Sequence, residues 1–529
     1  MQTALKSEKR PHTGADAFAQ WLRDQDVELV FSVMGNQVND IAFALQYVGI
    51  RLITCRHEGT ATMMAEAYAR SSRRIAMVLV IPGPGVSNTA SGLLEAQMTA
   101  SSVLVVSVRQ PVRFPDRPAD KLFHGLKHCQ FTQAITGFSA TVTCESDFDI
   151  HLRQAYRTLH GDRPRPVFLE FTVDFLRGEL GPKSVQSSPV VACVPNAGRL
   201  HDAVRLISSS QRVLIIAGRA VIAAGAEAAL LGLAEHLQAP VLTTTLGKGG
   251  FPERHALYLG KLYEPACRDL IADADLVIAI GTRFSQVDTD DWRIPLSAPL
   301  IQIDPDTEQF NSVYACDVAL CGELKQTLGL LQGMLAQTIS GWDLAALSRD
   351  VGLLRGPAPL VASLLHELLL PGDIIAVDVH EQGYPLVEHL LLDQQAFLFS
   401  GTSLCLGYGI PAAIGARLAH KQGRVMAFCG DGGFLMSSCE LATVAHYGLA
   451  IVFVIVNDQA FGTIKNHQLE HFGATAGVEL TNPDFKALTH SFGFDYRAIN
   501  HHEDLHPVLC WALDQTRPTV IEIDKALLH

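Results

Sequence analysis

The stretch that most restricts how this chain can fold is GDGGFLMSSCELATVAHYGLAIVFVIVNDQAFG, residues 430–462. A β-branched and apolar run, 424–429, stops at Gly430, Asp431, Gly432 and Gly433, where a carboxylate sits among residues that let backbone approach a ligand closely. The pattern reads as a strand ending in an anion-facing turn. A helical segment over 438–447, closed by Gly448, leads to a second apolar strand, 450–456, that ends at Asn457-Asp458. Strands joined through a helix run parallel and present their carboxyl ends side by side, so Asp431 and Asp458 converge. Two hard oxygen donors beside a glycine-rich cradle, completed by a main-chain carbonyl, suit magnesium that keeps diphosphate oxygens among its roughly six ligands. A Gly-Asp-Gly standing alone is more often a solvated turn, so the spacing to the second acid carries the weight.

Such a unit fills only part of the chain, since 529 residues amount to about three domains of ordinary size. An excess of 54 acidic over 41 basic side chains, net −13, argues against a nucleic-acid or anionic-membrane surface. The eleven cysteines are scattered without a Cys-x-x-Cys, which signals neither a disulfide framework nor a zinc site. The first residues, MQTALKSEKRPHTG, lack the apolar core of a signal peptide, and no apolar run approaches the roughly 20 residues of a membrane span. A soluble cytoplasmic protein is expected.

Along the chain, helices alternate with short apolar strands: a helix over Gly14–Asp24, a strand at 29–33, a helix at 38–47 and a strand over Arg51–Thr54. Alternation of this kind indicates parallel sheets covered on both faces. The second strand leaves through Arg56-His57-Glu58 into a small-residue helix, where a glutamate is first of all a favourable dipole partner. A strand at 75–81 gives way to Pro82-Gly83-Pro84-Gly85-Val86-Ser87-Asn88, a loop with a helix cap at Ser87 or Asn88. Residues 182–197, rich in Pro, Ser and Val, read as a linker. Four further strands follow, at 212–217, 240–244, 276–280 and 300–303, with glycine at several carboxyl ends in the manner of a Rossmann sheet, but no complete GxGxxG establishes dinucleotide binding. After a boundary near Gly356-Pro357, a strand at 373–377 ends in Asp378-Val379-His380-Glu381-Gln382, and SGTSLCLGYGIPAAIGARLA opens another small-residue helix.

Gly-Asp-Gly followed at this distance by Asn-Asn or Asn-Asp resembles the signature of thiamine-diphosphate enzymes, and the Asn-Asp form resembles that of catabolic, flavin-independent acetolactate synthases. The resemblance covers nearly the whole chain. It implies an α/β fold of three doubly wound parallel-sheet domains: pyrimidine-binding over 1–180, central and Rossmann-like over 195–335, and diphosphate-binding over 356–529. It implies magnesium held by Asp431, Asp458 and the carbonyl of Ala460. Thiamine diphosphate would then lie against Pro82, against His380, Glu381 and Gln382, and against Gly430, Gly432, Gly433, Phe461 and Gly462. Main-chain groups of Leu404 and Leu406 would hold its pyrimidine, with the Leu406 side chain wedged between the two rings to bring the reacting groups together. Glu58 would activate the cofactor through a hydrogen bond to the pyrimidine, a role that neither Gln nor Asp could fill. Gln37 and His124 fall where relatives carry specificity-setting or catalytic polar residues; an ordinary Gln or His fits either place nearly as well.

The activity so implied is decarboxylation of a 2-oxo acid followed by carboligation, as in acetolactate synthases. The alternatives are a simple non-oxidative decarboxylase, an acyloin lyase or carboligase, a flavin-dependent oxidase, and a non-catalytic binding subunit with the same fold. FAD binds the middle domain in some relatives, and an empty one is expected here. Glu58 and Asp431 come from different domains, which in this group belong to different subunits at the site. A homodimer is therefore the expected minimum, with a tetramer as a dimer of dimers.

Overall fold

The computed structural model describes residues 12–111, 118, 121–161, 163–180, 193–336 and 340–528, so most of the expected linker lies outside the described residues. The chain divides into two compact units, Met1–Val190 and Val191–His529. The first holds β1 (Leu29–Ser32), β2 (Arg51–Thr54), β3 (Ala76–Leu79), β4 (Val103–Arg109), β5 (Phe138–Val142) and β6 (Val167–Thr172), in spatial order β2-β1-β3-β4-β6-β5. Every pairing is parallel. The helix over Gly14–Asp24 starts where expected, because Thr13 and Asp16 form a reciprocal capping box. Its Phe18, Trp21 and Leu22 recur at helical spacing and are buried, with Phe18 4.6 Å from Phe171 of β6.

The second unit contains two more parallel sheets. One is built from β7 (Val213–Ala217), β8 (Val241–Thr243), β9 (Tyr258–Lys261), β10 (Leu276–Ile280), β11 (Leu300–Asp304) and β12 (Val318–Cys321), ordered β12-β11-β10-β7-β8-β9. That is the strand order of dinucleotide-binding folds. It has six strands where four were expected: β9 was masked by Gly260 and Lys261, and β12 is only four residues long and fully buried on one face alone. The other contains β13 (Ile374–Val377), β14 (Ala396–Phe399), β15 (Val425–Gly430), β16 (Val452–Asn457), β17 (Asp495–Ile499) and β18 (Thr519–Asp524), ordered β14-β13-β15-β16-β18-β17. Counted from its own first strand, this order repeats that of the first sheet.

A buried ionic cluster fastens the middle sheet to the segment entering β14. Glu253 accepts from Lys248 Nζ at 2.9 Å, from Lys261 Nζ at 3.3 Å and from the Leu392 amide at 3.0 Å. Burial alone would raise the Glu253 carboxyl, but the two ammonium groups outweigh it and hold it at about 2. Burial pulls Lys248 down to about 7, with the like charge of Lys261 adding to the effect and Glu253 opposing it. A helix over Leu344–Arg355 stands just before the expected boundary, and Arg355 Nε donates to Glu264 Oε2 at 2.8 Å.

Candidate active site

In the third sheet the anion-facing turn proves to be a helix start. Gly430 is the N-cap and Asp431 the first residue of a helix over Asp431–Ser437, followed by a 3₁₀ turn and a second helix over Leu441–Tyr447, so the helical segment begins seven residues before the expected 438. Glycines at 432 and 433 leave no room for side chains: a Cβ at Gly432 would come within 2.8 Å of the Phe461 ring, and one at Gly433 within 2.5 Å of Asp378 Oδ2. The helix end therefore presents bare main chain and one carboxylate at the carboxyl edge of β15.

Beside it, β16 pairs in parallel with β15 and ends at Asn457, which carries Asp458 to the same edge. Both acids line one cleft of about 610 Å³, together with His380, Glu381, Gln382, Leu406, Gly430, Gly432, Gly433, Ala460, Phe461 and Gly462. The sequence thus foretold most of the residues that meet here. Leu404 is the exception among them: it stands two residues from Leu406 in a left-handed conformation (φ 48°) but does not line the cleft. Leu406 is 39% exposed, so it is no core leucine and stands free to meet a ligand.

Asp431 is 1% exposed. Its carboxyl is raised above the usual range, first by burial and further by the charge of Asp458, against hydrogen bonds that favour the ionised form. One of these is from Asn482 Nδ2 at 2.6 Å, and the same amide reaches Asn457 Oδ1 at 3.0 Å. Asp378, at the end of β13, accepts from the Gly407 amide at 3.0 Å and from Val379 at 2.7 Å, which pins the turn after Leu406. Burial lifts its carboxyl to about 6.

The first unit gathers its own set at the carboxyl edge of β1, β2 and β3. Glu58 begins the helix over Glu58–Ser72, whose N-cap His57 accepts from the Gly59 amide at 3.0 Å. Glu58 is 7% exposed, and Asn88 Nδ2 donates to its Oε2 at 2.9 Å. Asn88 is thus no helix cap: the short helix it closes, Pro84–Asn88, has Gly83 as its N-cap (φ 66°). The Gly83 amide donates to His128 Nε2 at 2.8 Å, while His128 Nδ1 lies 2.7 Å from Glu170 Oε2. This fixes one tautomer, with Nδ1 protonated toward the carboxylate. Burial would raise Glu170, but bonds from His128 and Thr141 prevail and lower it. His124 stands behind the same loop, with φ 57° and its ring 3.8 Å from that of Phe123. Both His124 and Pro82 line a cleft of about 980 Å³. Gln37 lies in the 3₁₀ turn after β1, half-buried.

Four contributors escaped the sequence reading as members of these sets: Asn482; Lys525, just past the last strand; Asn88 as the partner of Glu58; and His128. Each meets its partner through the fold, between 30 and 144 positions away along the chain.

The donor chemistry suits a hard divalent cation and a diphosphate. Among the described residues no three acidic, His or Cys side chains converge as a ready metal site, which leaves two carboxylates with room for main-chain and ligand oxygens. Asn482 Oδ1, Asp378 Oδ2 and His380 Nε2 are buried around this cleft without a hydrogen-bond partner.

Residues 12–132, 200–331 and 387–523 match, in turn, the N-terminal TPP binding domain, the central domain and the C-terminal TPP binding domain of thiamine pyrophosphate enzymes. The probable 2-ketoarginine decarboxylase AruI of Pseudomonas aeruginosa is 32% identical over 97% of this chain and 94% of its own. The probable acetolactate synthase large subunit of Methanocaldococcus jannaschii is 29% identical, covering 96% and 91% respectively. The acetolactate synthase large subunit of Lactococcus lactis is 26% identical over 98% and 93%.

Proposed function

The chain belongs to the thiamine pyrophosphate enzymes, and from that premise we propose that it decarboxylates a 2-oxo acid with magnesium and thiamine diphosphate and joins the remaining fragment to a second carbonyl, in the manner of acetolactate synthases. The observation that carries this reading is the cleft of the third sheet, where Asp431 and Asp458 face a glycine floor at a helix start. Asp431, Asp458 and the Ala460 carbonyl would hold the metal; the main chain of residues 430–433 would take the diphosphate. When bound, the cofactor supplies the electron sink that 2-oxo acid decarboxylation requires.

The protein's own contribution is positioning. Glu58, sheltered from water and gripped by Asn88, offers a carboxyl group fixed in place for proton exchange with the pyrimidine end. Leu406, exposed at the cleft wall, would set the cofactor's bent shape. Gln37 and His124 remain the candidates for contact with substrate, each on the carboxyl edge of the first sheet.

A homodimer is the proposed minimum active unit, with a tetramer expected; Ile464 at the cleft, and Leu469 and Phe472 further along the helix Gly462–Phe472, are exposed and apolar, which supports burial by another chain. No described helix is long and apolar enough to cross a membrane. The eleven cysteines, none in a disulfide, fit the reducing cytoplasm we propose as its compartment. The middle domain is proposed to hold no flavin, in keeping with the lack of a complete GxGxxG at its first strand end.

A simple decarboxylase is the second reading, favoured by the name of the Pseudomonas relative. Incubation with thiamine diphosphate, magnesium and a panel of 2-oxo acids, pyruvate and a guanidino-bearing acid included, separates the two: a 2-hydroxy-2-alkyl acid supports carboligation, and aldehyde alone supports the second. Glu58→Ala should keep cofactor bound and abolish turnover, whereas Asp431→Ala should lose the cofactor. The reverse pattern, or no carbon dioxide from any acid, would overturn the assignment.

A further inference from the structure

Among the described residues that line the third-sheet cleft, Lys525 is the only lysine or arginine, facing Glu381, Asp431 and Asp458. Its Nζ donates to Glu381 Oε2 and lies 3.4 Å from Asp458 Oδ2. The side chain is 18% exposed, so this is not a solvated surface pair of negligible worth. The sheet builds the contact: β16 and β18 pair in parallel with Asn457 opposite Asp524, which sets the next residues of each strand, Asp458 and Lys525, next to one another. The Ala526 amide donates to Asp524 Oδ1 at 2.9 Å and Leu528 is buried, so the segment carrying Lys525 is tied down on both sides.

The arrangement also explains Glu381. A carboxylate cannot donate to a diphosphate, and unpaired it would repel one. Gly462 allows the grouping, because a Cβ there would collide with Asp458 and come within 2.9 Å of Glu381 Oε2. With three carboxylates against one ammonium, the cleft keeps two negative charges in excess, the number one divalent cation neutralises.

We propose that Lys525 is the built-in counter-cation of the cofactor cleft, a positioning residue that holds Glu381 and Asp458 together, favours entry of the diphosphate, and weakens magnesium binding in the absence of cofactor by occupying an oxygen of Asp458. This rests on the thiamine-diphosphate reading above. It makes two opposed demands. Without the ammonium the cleft is more negative, so magnesium alone binds tighter while the diphosphate, even with magnesium saturating, binds more weakly.

The test is calorimetry on full-length protein freed of cofactor and metal, titrated with magnesium alone and then with thiamine diphosphate at saturating magnesium. For Lys525→Met we expect magnesium to bind about threefold to tenfold tighter and thiamine diphosphate about tenfold weaker. Adding Glu381→Gln restores the excess of two charges and should return both constants toward wild type, and Lys525→Arg should stay near wild type. A misfolded variant would weaken both ligands, so opposite movement cannot arise from lost structure. Constants that do not move, that move in the same direction, or that the double variant fails to restore would overturn the proposal. A wild-type chain that takes up no thiamine diphosphate would overturn the functional reading itself, and the proposal with it.

Discussion

Replacing Asn88 by alanine removes the side-chain donor 2.9 Å from Glu58 Oε2 and little else, because Asn88 is itself exposed at the end of its short helix. A hydrogen bond to a charged group is worth about 1.5–3 kcal/mol when buried; with the donor open to water about 1–2 kcal/mol is the fitting range. If that bond holds Glu58 in its working position, the loss belongs to the transition state and lowers kcat by about 5- to 30-fold, at about 1.4 kcal/mol per tenfold. Global stability should change by no more than about 0.5 kcal/mol, as for other exposed sites. Single-turnover release of carbon dioxide at saturating cofactor, with calorimetric Tm alongside, measures both quantities. Asn88→Asp should be worse than Asn88→Ala, since a second carboxylate would repel Glu58. A kcat for Asn88→Ala within threefold of wild type, at unchanged Tm, would refute the role given to this pair.

Glu253→Gln leaves Lys248 and Lys261 buried without their counter-charge and should cost about 3–5 kcal/mol, read as a lower midpoint in urea unfolding. Because burial holds folded Lys248 at about 7, below its unfolded value, the unfolded chain binds the extra proton above neutrality; stability from this group should rise from about pH 7 toward pH 10, and the rise should vanish in Lys248→Met. Glu170 has the same sense in a more acidic window: its folded carboxyl is depressed, so its contribution is present above the ordinary carboxylate range and fades as pH falls through the folded value. The stability gap between wild type and Glu170→Gln should therefore shrink on acidification below about pH 4. Gly433→Ala would place a Cβ 2.5 Å from Asp378 Oδ2, at a cost of about 1–3 kcal/mol, and should weaken thiamine diphosphate binding in calorimetry.

What the amino-acid order disclosed, and what it withheld, follows from how far each feature reaches along the chain. Asp431 and Asp458 could be paired in advance because a strand, a helix and a strand leave two parallel ends adjacent, and that unit is local. The helix over Gly14–Asp24 was legible to the residue through its capping pair and apolar spacing. Lys525 and Asn482 were not legible, since nothing near either one announces an acid 67 or 51 positions away. β9 hid behind Lys261, a residue that looks solvent-loving until Glu253 is seen beneath it. The helix start at Asp431 was read too late because three glycines disguise the first turn of a helix as a loop.

The first and third sheets follow one plan, and their third strands both leave through glycine-rich bends: Pro82-Gly83-Pro84-Gly85 in one, Gly430-Asp431-Gly432-Gly433 in the other. Equivalent corners of a doubled blueprint have thus diverged in chemistry, one toward an uncharged hinge above a single guarded acid, the other toward a paired-acid floor. The two sheets are therefore best compared strand by strand, since connectivity matches these corners where residue type does not.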